Sequence, residues 1–338
     1  MTESSFQNLV KGKNVVYITV KNRDYIRVSQ IERILGKSAA SYKVYASEKG
    51  NPLTRALDLR CRVKEIDLAA TDVVIVGFLP QLIWEKIKKR NKGAVLVADF
   101  FLSLYDTVVL DRKLVSDGGL VAGKMHEMDK RVLEEADLVL TDTRADADFF
   151  AKEYKVDKDK FETLYLEADK RIYDAKVSSP ERKKAGVKES EANVLYFGTG
   201  LPLQGTDIIL KAFSLIAAKG KNITCTFIGS TKGIPKPVVD VARLYSDIEI
   251  INWVTQEELA DRIRMADLCV AGHFNKDIDK ADRTIPGKAI IYEAMEKKMI
   301  LGDTKANREL FAEDERHIFV QRGDAMELSR KIALCLKK

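Results

Sequence analysis

Short apolar runs rich in β-branched residues recur along the chain with helix-length segments between them, and this rhythm limits what it can fold into. The runs are Val15–Val20, Val73–Val76, Val95–Val97 and Leu138–Leu140, then Val194–Phe197, Thr224–Ile228, Ile248–Ile251, Leu268–Val270 and Met299–Leu301. Strands that are apolar throughout, rather than alternating, are covered on both faces, and this pattern predicts parallel α/β architecture. Residues 174–193 break the rhythm: they are charged, poor in large apolar side chains, and carry a Ser-Ser-Pro. The expected organisation is therefore an N-terminal domain over 1–175, a linker over 176–192 and a C-terminal domain over 193–338, two Rossmann-like parallel-sheet domains facing a cleft. A length of 338 residues suits two domains. Open parallel sheets bind ligands at the carboxyl ends of their strands, so that cleft is the default active site.

Composition removes several alternatives. No apolar run approaches the roughly 20 residues needed to span a bilayer, and the first dozen residues lack the pattern of a signal peptide. A cytoplasmic location is expected, with the inner face of a membrane as an alternative. Cys61, Cys225, Cys269 and Cys335 form no CxxC pair, and buried reduced thiols are the natural reading for the three in apolar stretches. Three scattered histidines do not suit a His-rich metal site, so no metal and no cofactor are expected. The net charge of +6 suits a partner carrying phosphate, whereas aromatics do not interleave with basic residues as in a nucleic-acid binder.

Two loops carry chemistry. Gly198-Thr-Gly-Leu-Pro-Leu-Gln-Gly205 follows a strand and precedes a helical pattern from Asp207 to Ala218. Such glycines let a backbone approach phosphate, and the next helix offers free amides. A tight strand–helix turn explains the loop equally well, and its spacing is not the dinucleotide fingerprint. The second loop runs from Asn275 to a helix opening near Pro286-Gly287, which puts Lys288 in the first turn. A cation there opposes the helix dipole, so its presence makes sense if lysine and amides together receive an anion. Lys280 and Arg283 lie upstream and could converge on it, or could pair with Asp279 and Asp282 as a solvated loop.

From Asn193 to about Phe311 the chain resembles the C-terminal domain of glycosyltransferase family four, a retaining GT-B family, and within it a subgroup from bacterial and archaeal polysaccharide loci. The resemblance rests on VLYFGTGLPLQGTDIILKAF, FIGS, INWVTQEELADRIRMADLCVAG, KADRTIPGKAIIYEAM and ILGDTKANRELF. These follow that subgroup's order of PLHG loop, K-x-x-R-x-I-P-x-K loop and G-D-[ST]-x-A-x-R-E-L. The resemblance implies a bound nucleoside diphosphate sugar. Gly200 and Gln204 would face the diphosphate or sugar, Lys280, Arg283, Gly287 and Lys288 the phosphates, and Glu293 the ribose hydroxyls. Trp253 and Val254 resemble the element flanking the base, although Trp253 reads equally as core. The chain departs from the pattern at Gln204, where the subgroup has histidine, and at Ile285, where the wider family has an acid. Lys288 and Glu293 are five positions apart instead of three. Five steps separate two helical side chains by about 140°, so both meet one ligand only if the helix starts after Lys288.

The N-terminal half continues the likeness. AVLVADFFLSLYDTVVLDRKLVS at 94–116 resembles the subgroup's D-x-x-x-S-x-Y-D-T segment, which implies acceptor-side roles for Asp99, Ser103 and Asp106. Asp99 follows a buried strand, where a carboxylate facing the cleft would orient an acceptor hydroxyl or take its proton. Asp106 is as readily part of a salt-bridged helix start. Arg23 and Arg27, after the first strand, are candidate anion contacts or surface salt bridges. Residues 79–92 place Leu79, Ile83 and Ile87 on one stripe amid lysines and Arg90, with Trp84 nearby. That is either a peripheral membrane contact or a docked helix with a charged outer face.

The expected function is transfer of a sugar from a nucleoside diphosphate sugar to a hydroxyl acceptor, glycan or lipid-linked, with Asp99, Arg283 and Lys288 as the catalytic candidates. Two rivals stand beside it: a catalytically degenerate partner subunit of the same fold, and an epimerase-type enzyme acting on nucleotide sugars.

Overall fold

The structure is a computed structural model that describes residues 5–177, 192–220 and 222–336. The chain separates into two compact units, Met1–Glu167 and Ala168–Lys338. The segment after Glu167 attaches to the second unit, where Tyr173 is buried and the Ile172 carbonyl accepts from Arg264 Nη2 at 3.3 Å. Most of the expected linker, 178–191, lies outside the described residues.

Each unit is built on a six-stranded sheet in which every pairing is parallel. The N-terminal sheet contains β1 (Asn14–Thr19), β2 (Ser41–Ala46), β3 (Val73–Gly77), β4 (Val95–Asp99), β5 (Leu138–Thr141) and β6 (Phe161–Thr163), in the order β2-β1-β3-β4-β5-β6. The C-terminal sheet contains β7 (Ala192–Phe197), β8 (Ile223–Ile228), β9 (Ile248–Ile251), β10 (Leu268–Gly272), β11 (Met299–Gly302) and β12 (His317–Val320), in the order β12-β11-β10-β7-β8-β9. The apolar runs read from the sequence coincide with strands, Val20 lying one residue past the end of β1. The strands missed by that reading, β2, β6 and β12, are edge strands.

Helices cover both faces because these apolar strands leave no face fit for water. In the N-terminal unit one core lies between the sheet and the helices bearing Leu59, Ile87, Leu133 and Phe150, and a second encloses Tyr17, Ile31 and Leu35. In the C-terminal unit the helix Thr206–Ala217 buries Ile209, Leu210, Phe213 and Ile216, and the helix Ala325–Cys335 packs on it through Leu328 and Ile332. Cys225 and Cys269 are buried thiols, Cys335 is half-buried and Cys61 is exposed. Among the described residues no helix is long and apolar enough to cross a membrane.

The helix that carried the membrane reading is docked. It spans Trp84–Arg90, and Leu79, Ile83, Trp84 and Ile87 all sit in the unit's core. Trp84 Nε1 donates to Glu135 at 2.9 Å, while Lys89 pairs with Glu85 at 2.7 Å on the outer face. The apolar stripe faces the sheet, leaving no apolar face for a bilayer.

The amino ends of the strands are held by a repeated device. Asp72, Asp137 and Asp267 each precede a strand, and each accepts a neighbouring backbone N–H at 2.8 Å, from Asn14, Leu96 and Asn193. Each returns its own N–H to the same residue's carbonyl at 2.9 Å. These clasps set strand register at the edge opposite the ligand-binding ends.

At the carboxyl edge of the C-terminal sheet, backbone packs on backbone. A Cβ on Gly229 would collide with the carbonyl of Gly198, and one on Gly302 with the carbonyl of His273. Neither neighbour is a side-chain tip that can swing away. Gly302→Ala is therefore expected to lower stability by about 1–3 kcal/mol, from forced backbone shifts. Urea unfolding checks this, and an unchanged midpoint would mean the loops are not packed as described.

Candidate functional site

The loop after β7 is shaped by Gln204. Its Oε1 accepts from Tyr196 Oη at 2.7 Å and from the Gly200 amide at 3.2 Å, and its Nε2 donates to Thr199 Oγ1 at 3.4 Å. Gln204 thus ties the loop to the strand beneath it. Gly200 adopts φ +74°, which favours glycine, and a Cβ there would press on the Ser230 carbonyl at 3.2 Å. Gly205 is also left-handed, φ +64°, and a Cβ would lie 2.8 Å from the Asn275 nitrogen.

The loop after β10 reaches this first loop directly. Phe274 and Asn275 amides donate to the carbonyls of Gln204 and Leu203 at 3.3 and 3.4 Å. Leu203 packs with Ile278 and Ala281, which seats the short helix Lys280–Arg283 against the loop. Lys280 and Arg283 are both buried, and Arg283 Nε pairs with Asp279 at 2.9 Å. The next helix, Gly287–Ala294, opens after Pro286, which fixes a helix-compatible φ at the start.

Lys288 follows Gly287 in that first turn and is only 5% exposed. Its Nζ lies 5.2 Å from the centroid of the Tyr196 ring, a cation–π contact. Among the described residues it makes no ion pair and no hydrogen bond. Burial alone lowers its pKa from the usual 10.5 to about 7. That displacement corresponds to a cost of about 5 kcal/mol for holding the ammonium charged in the free protein.

Beside it stands His273, first residue after β10 and equally enclosed. Burial, and then the positive charges of Lys288, Arg322 and Lys280, push its imidazole well below the usual range, so it is neutral at physiological pH. Its Nδ1 has no hydrogen-bond partner among the described residues. The sequence pattern had not singled out His273, although its place as the first polar residue after a buried strand was the available signal.

Gly200, Gln204, Lys280, Arg283, Gly287 and Lys288 thus gather at the carboxyl edge of β7 and β10. Glu293 does not join them. The helix includes Lys288, so the two side chains point about 140° apart. Glu293 pairs instead with Arg316 and with His317 Nε2, the latter at 2.8 Å. Trp253 is 75% exposed, which removes the core reading of that residue. A concavity of about 620 Å³ is lined by Lys276, Asp303, Arg308, Glu313, Arg322 and Lys331 among others, and no candidate residue borders it. Among the described residues no group of His, Cys, Asp or Glu side chains is arranged to hold a metal.

The N-terminal candidates have structural partners. Asp99 is completely enclosed and accepts from Arg27 Nε at 2.8 Å, so its carboxylate does not reach the surface. Burial raises its pKa, opposed by Arg27 and by a backbone hydrogen bond from Phe78. Arg27 also donates to the Leu164 carbonyl. Ser103 Oγ donates to Asp129 at 2.7 Å and accepts from the Asp106 amide at 2.9 Å. Asp129 further accepts from the amides of Leu104 and Tyr105, Tyr154 Oη and Gln81. It therefore caps the segment Asp106–Asp111 from a distant helix, with Ser103 and the buried Asp106 inside that network. Arg23 is exposed and forks onto Glu32, Nε to Oε1 at 2.8 Å.

Residues 191–338 match the protein family described as "Glycosyl transferases group 1". No curated protein matches the sequence. Among solved structures the chain is similar to sucrose-phosphate synthase from Thermosynechococcus elongatus, with TM-score 0.71 and 12% identity over 96% of this chain and 90% of that one. It is similar to a glycosyltransferase from Rickettsia africae at TM-score 0.67 and 14% identity, covering 96% and 88% of the two chains. It also matches Anabaena HepE in complex with UDP and glucose at TM-score 0.67 and 13% identity, covering 96% and 90%. The fold of the chain is that of the GT-B glycosyltransferases.

The Asp99–Arg27 pair separates structure from chemistry. Removing one member of a buried pair leaves an uncompensated charge, whereas replacing both with apolar residues of similar size is often neutral. Arg27→Met is expected to cost about 3–5 kcal/mol, and Arg27→Met with Asp99→Leu distinctly less. Chemical denaturation of the two variants checks this; equal losses would mean that the pair is not the reason for the burial.

Proposed function

We propose that the chain transfers a sugar from a nucleoside diphosphate sugar to a hydroxyl acceptor, with the carboxyl edge of the C-terminal sheet as its donor site. The observation that carries this reading is Lys288, a buried cation without a carboxylate partner at the opening of a helix. An enclosed ammonium that no protein charge neutralises is stabilised by a bound anion, and the first-turn amides near Gly287 add to that attraction. The match of residues 191–338 supports the same reading, as do HepE in complex with UDP-glucose and the trehalose-6-phosphate protein from E. coli bound with UDP-2-fluoro glucose.

As the bond between the sugar and its diphosphate breaks, charge accumulates on the leaving phosphate. Lys288, Arg283, Lys280 and the amides near Gly200 and Gly287 would stabilise that charge in a preorganised, water-poor setting. Fixed cations would perform the task a metal performs elsewhere. Membership of the retaining family four, and a role in polysaccharide assembly, follow from the motif resemblance. Glycan and lipid-linked hydroxyls are the acceptors it implies, and the enclosure of Asp99 leaves their activating base to another group.

A second reading keeps the donor site and drops the transfer. The engagement of Glu293 with Arg316 and His317, and of Ser103 and Asp106 with the Asp129 network, favours a donor-binding partner subunit. Release of nucleoside diphosphate from a bound donor, with an acceptor mixture present, separates the two.

Donor binding is read first by thermal stability against UDP-, GDP-, ADP-, CMP- and dTDP-sugars. At a hundred times its dissociation constant a ligand adds about 2.7 kcal/mol to stability. One nucleotide class is expected to stabilise the wild type and neither Lys288→Ala nor Arg283→Ala; no response from any class would defeat the proposal.

The pKa of Lys288 gives a second test. Near pH 7 the free protein carries that ammonium only part of the time, and binding an anion restores the charge. The phosphates of a nucleotide sugar do not titrate near neutrality, so donor binding should take up a proton above pH 7. The dissociation constant should rise by up to about tenfold per pH unit there and stay level below it. Titration calorimetry in buffers of different ionisation enthalpy measures the uptake, which Lys288→Met should abolish. Stability without ligand has the same origin. The folded pKa lies below the unfolded one, so the lysine's penalty is full below pH 7 and fades as pH rises toward 10.5.

A further inference from the structure

We propose that the N-terminal unit docks on an anionic lipid bilayer through the segment Leu110–Lys124. Four apolar side chains there face solvent: Leu110 at 37%, Leu114 at 71%, Leu120 at 90% and Val121 at 51% exposure. Scattered exposed apolar residues are ordinary, but four within a dozen positions, three of them more than half exposed, concentrate apolar surface on one segment that would gain from a partner.

The fold-back is specified. The Leu114 amide donates to the Val108 carbonyl at 2.9 Å, and Tyr105 Oη donates to Asp117 at 2.8 Å, which holds the loop against the segment Asp106–Asp111. The Gly119 amide closes a turn onto Ser116 at 3.3 Å, and the helix Leu120–Glu135 then starts with Leu120 and Val121 outward while Ala122 turns inward. Leu120 therefore opens a helix with its side chain almost wholly in water.

Charge names the partner. Arg112, Lys113 and Lys124 are exposed on the same segment, and none forms an ion pair among the described residues. Of the segment's two acids, Asp111 is buried and Asp117 is engaged by Tyr105. Cations interleaved with outward leucines suit a surface that is negative at its headgroups and apolar just below them. An apolar protein partner would leave those three cations without counter-charge, and a nucleic acid would leave the leucines in water. The patch is separate from the docked helix Trp84–Arg90, and the proposal stands whether or not the donor-site reading holds.

The test is co-sedimentation of the full chain with vesicles of phosphatidylcholine alone or of an equal mixture with phosphatidylglycerol. The wild type is expected to pellet with the mixed vesicles and to be released by high salt. Arg112→Gln with Lys113→Gln and Lys124→Gln should bind on the order of a hundredfold more weakly. Leu114→Ser with Leu120→Ser should bind about tenfold or more weakly. The changed side chains are exposed, so melting temperatures should stay at the wild-type value, and an unchanged far-ultraviolet circular dichroism spectrum provides a second check of the fold. The proposal is overturned if the wild type stays in the supernatant, if neutral vesicles bind it equally, or if either variant binds as the wild type does. A concentration-dependent dimer lost with Leu114→Ser and Leu120→Ser, without vesicle binding, would assign the patch to a second copy and overturn it too.

Discussion

A sheet made only of parallel strands has to be covered on both faces, and that requirement governs the rest of this chain. Each strand must be followed by a crossover long enough to return to the same edge, so all strands start at one edge and finish at the other. The two edges then take different work. At the amino edge, Asp72, Asp137 and Asp267 exchange paired hydrogen bonds with neighbouring strands and fix register. At the carboxyl edge of the C-terminal sheet, glycines let loops approach so closely that even a methyl group has no place.

Buried charge is handled in two ways. In the N-terminal unit the enclosed ions have partners: Asp99 has Arg27, and Asp129 accepts from two backbone amides and three side chains. Such arrangements hold a fold and leave little for a ligand to do. In the C-terminal unit Lys288 is enclosed with an aromatic ring for company and a neutral histidine nearby. The cost of that enclosure is borne by the packing of the surrounding sheet and helices. A bound anion that supplied the missing negative charge would offset that cost.

The central strands were legible because they are apolar on both sides; the missed β2, β6 and β12 lie at sheet edges, where one side of the ladder is open and the apolar signal is diluted. The helix start at Gly287 and the gathering of Lys280, Arg283 and Lys288 followed from Pro286 and the strand before it. The five-position spacing let Lys288 and the donor-site candidate Glu293 share a ligand only if the helix started after Lys288, and the helix includes Lys288. What local sequence could not reveal were long-range partners. Asp99 lies 72 positions from Arg27, and Ser103 lies 26 from Asp129. Asp129 did leave a trace: it sits in helical register with Ala122, Val132 and Leu133, a charge on an apolar stripe. The basic helix near Trp84 left two readings open, because periodicity gives the apolar face without saying whether a sheet or a membrane covers it; the sheet covers it.

The two tryptophans of the chain fall one to each unit, in opposite surroundings. Trp84 is sealed in the N-terminal core with its indole N–H on a carboxylate, whereas Trp253 stands in water on the C-terminal unit. Dissolved iodide can collide with the second and not with the first. The protein thus carries two intrinsic fluorophores that a quencher can tell apart, and the melting of each unit can be followed optically in the intact chain, without a label or a cut.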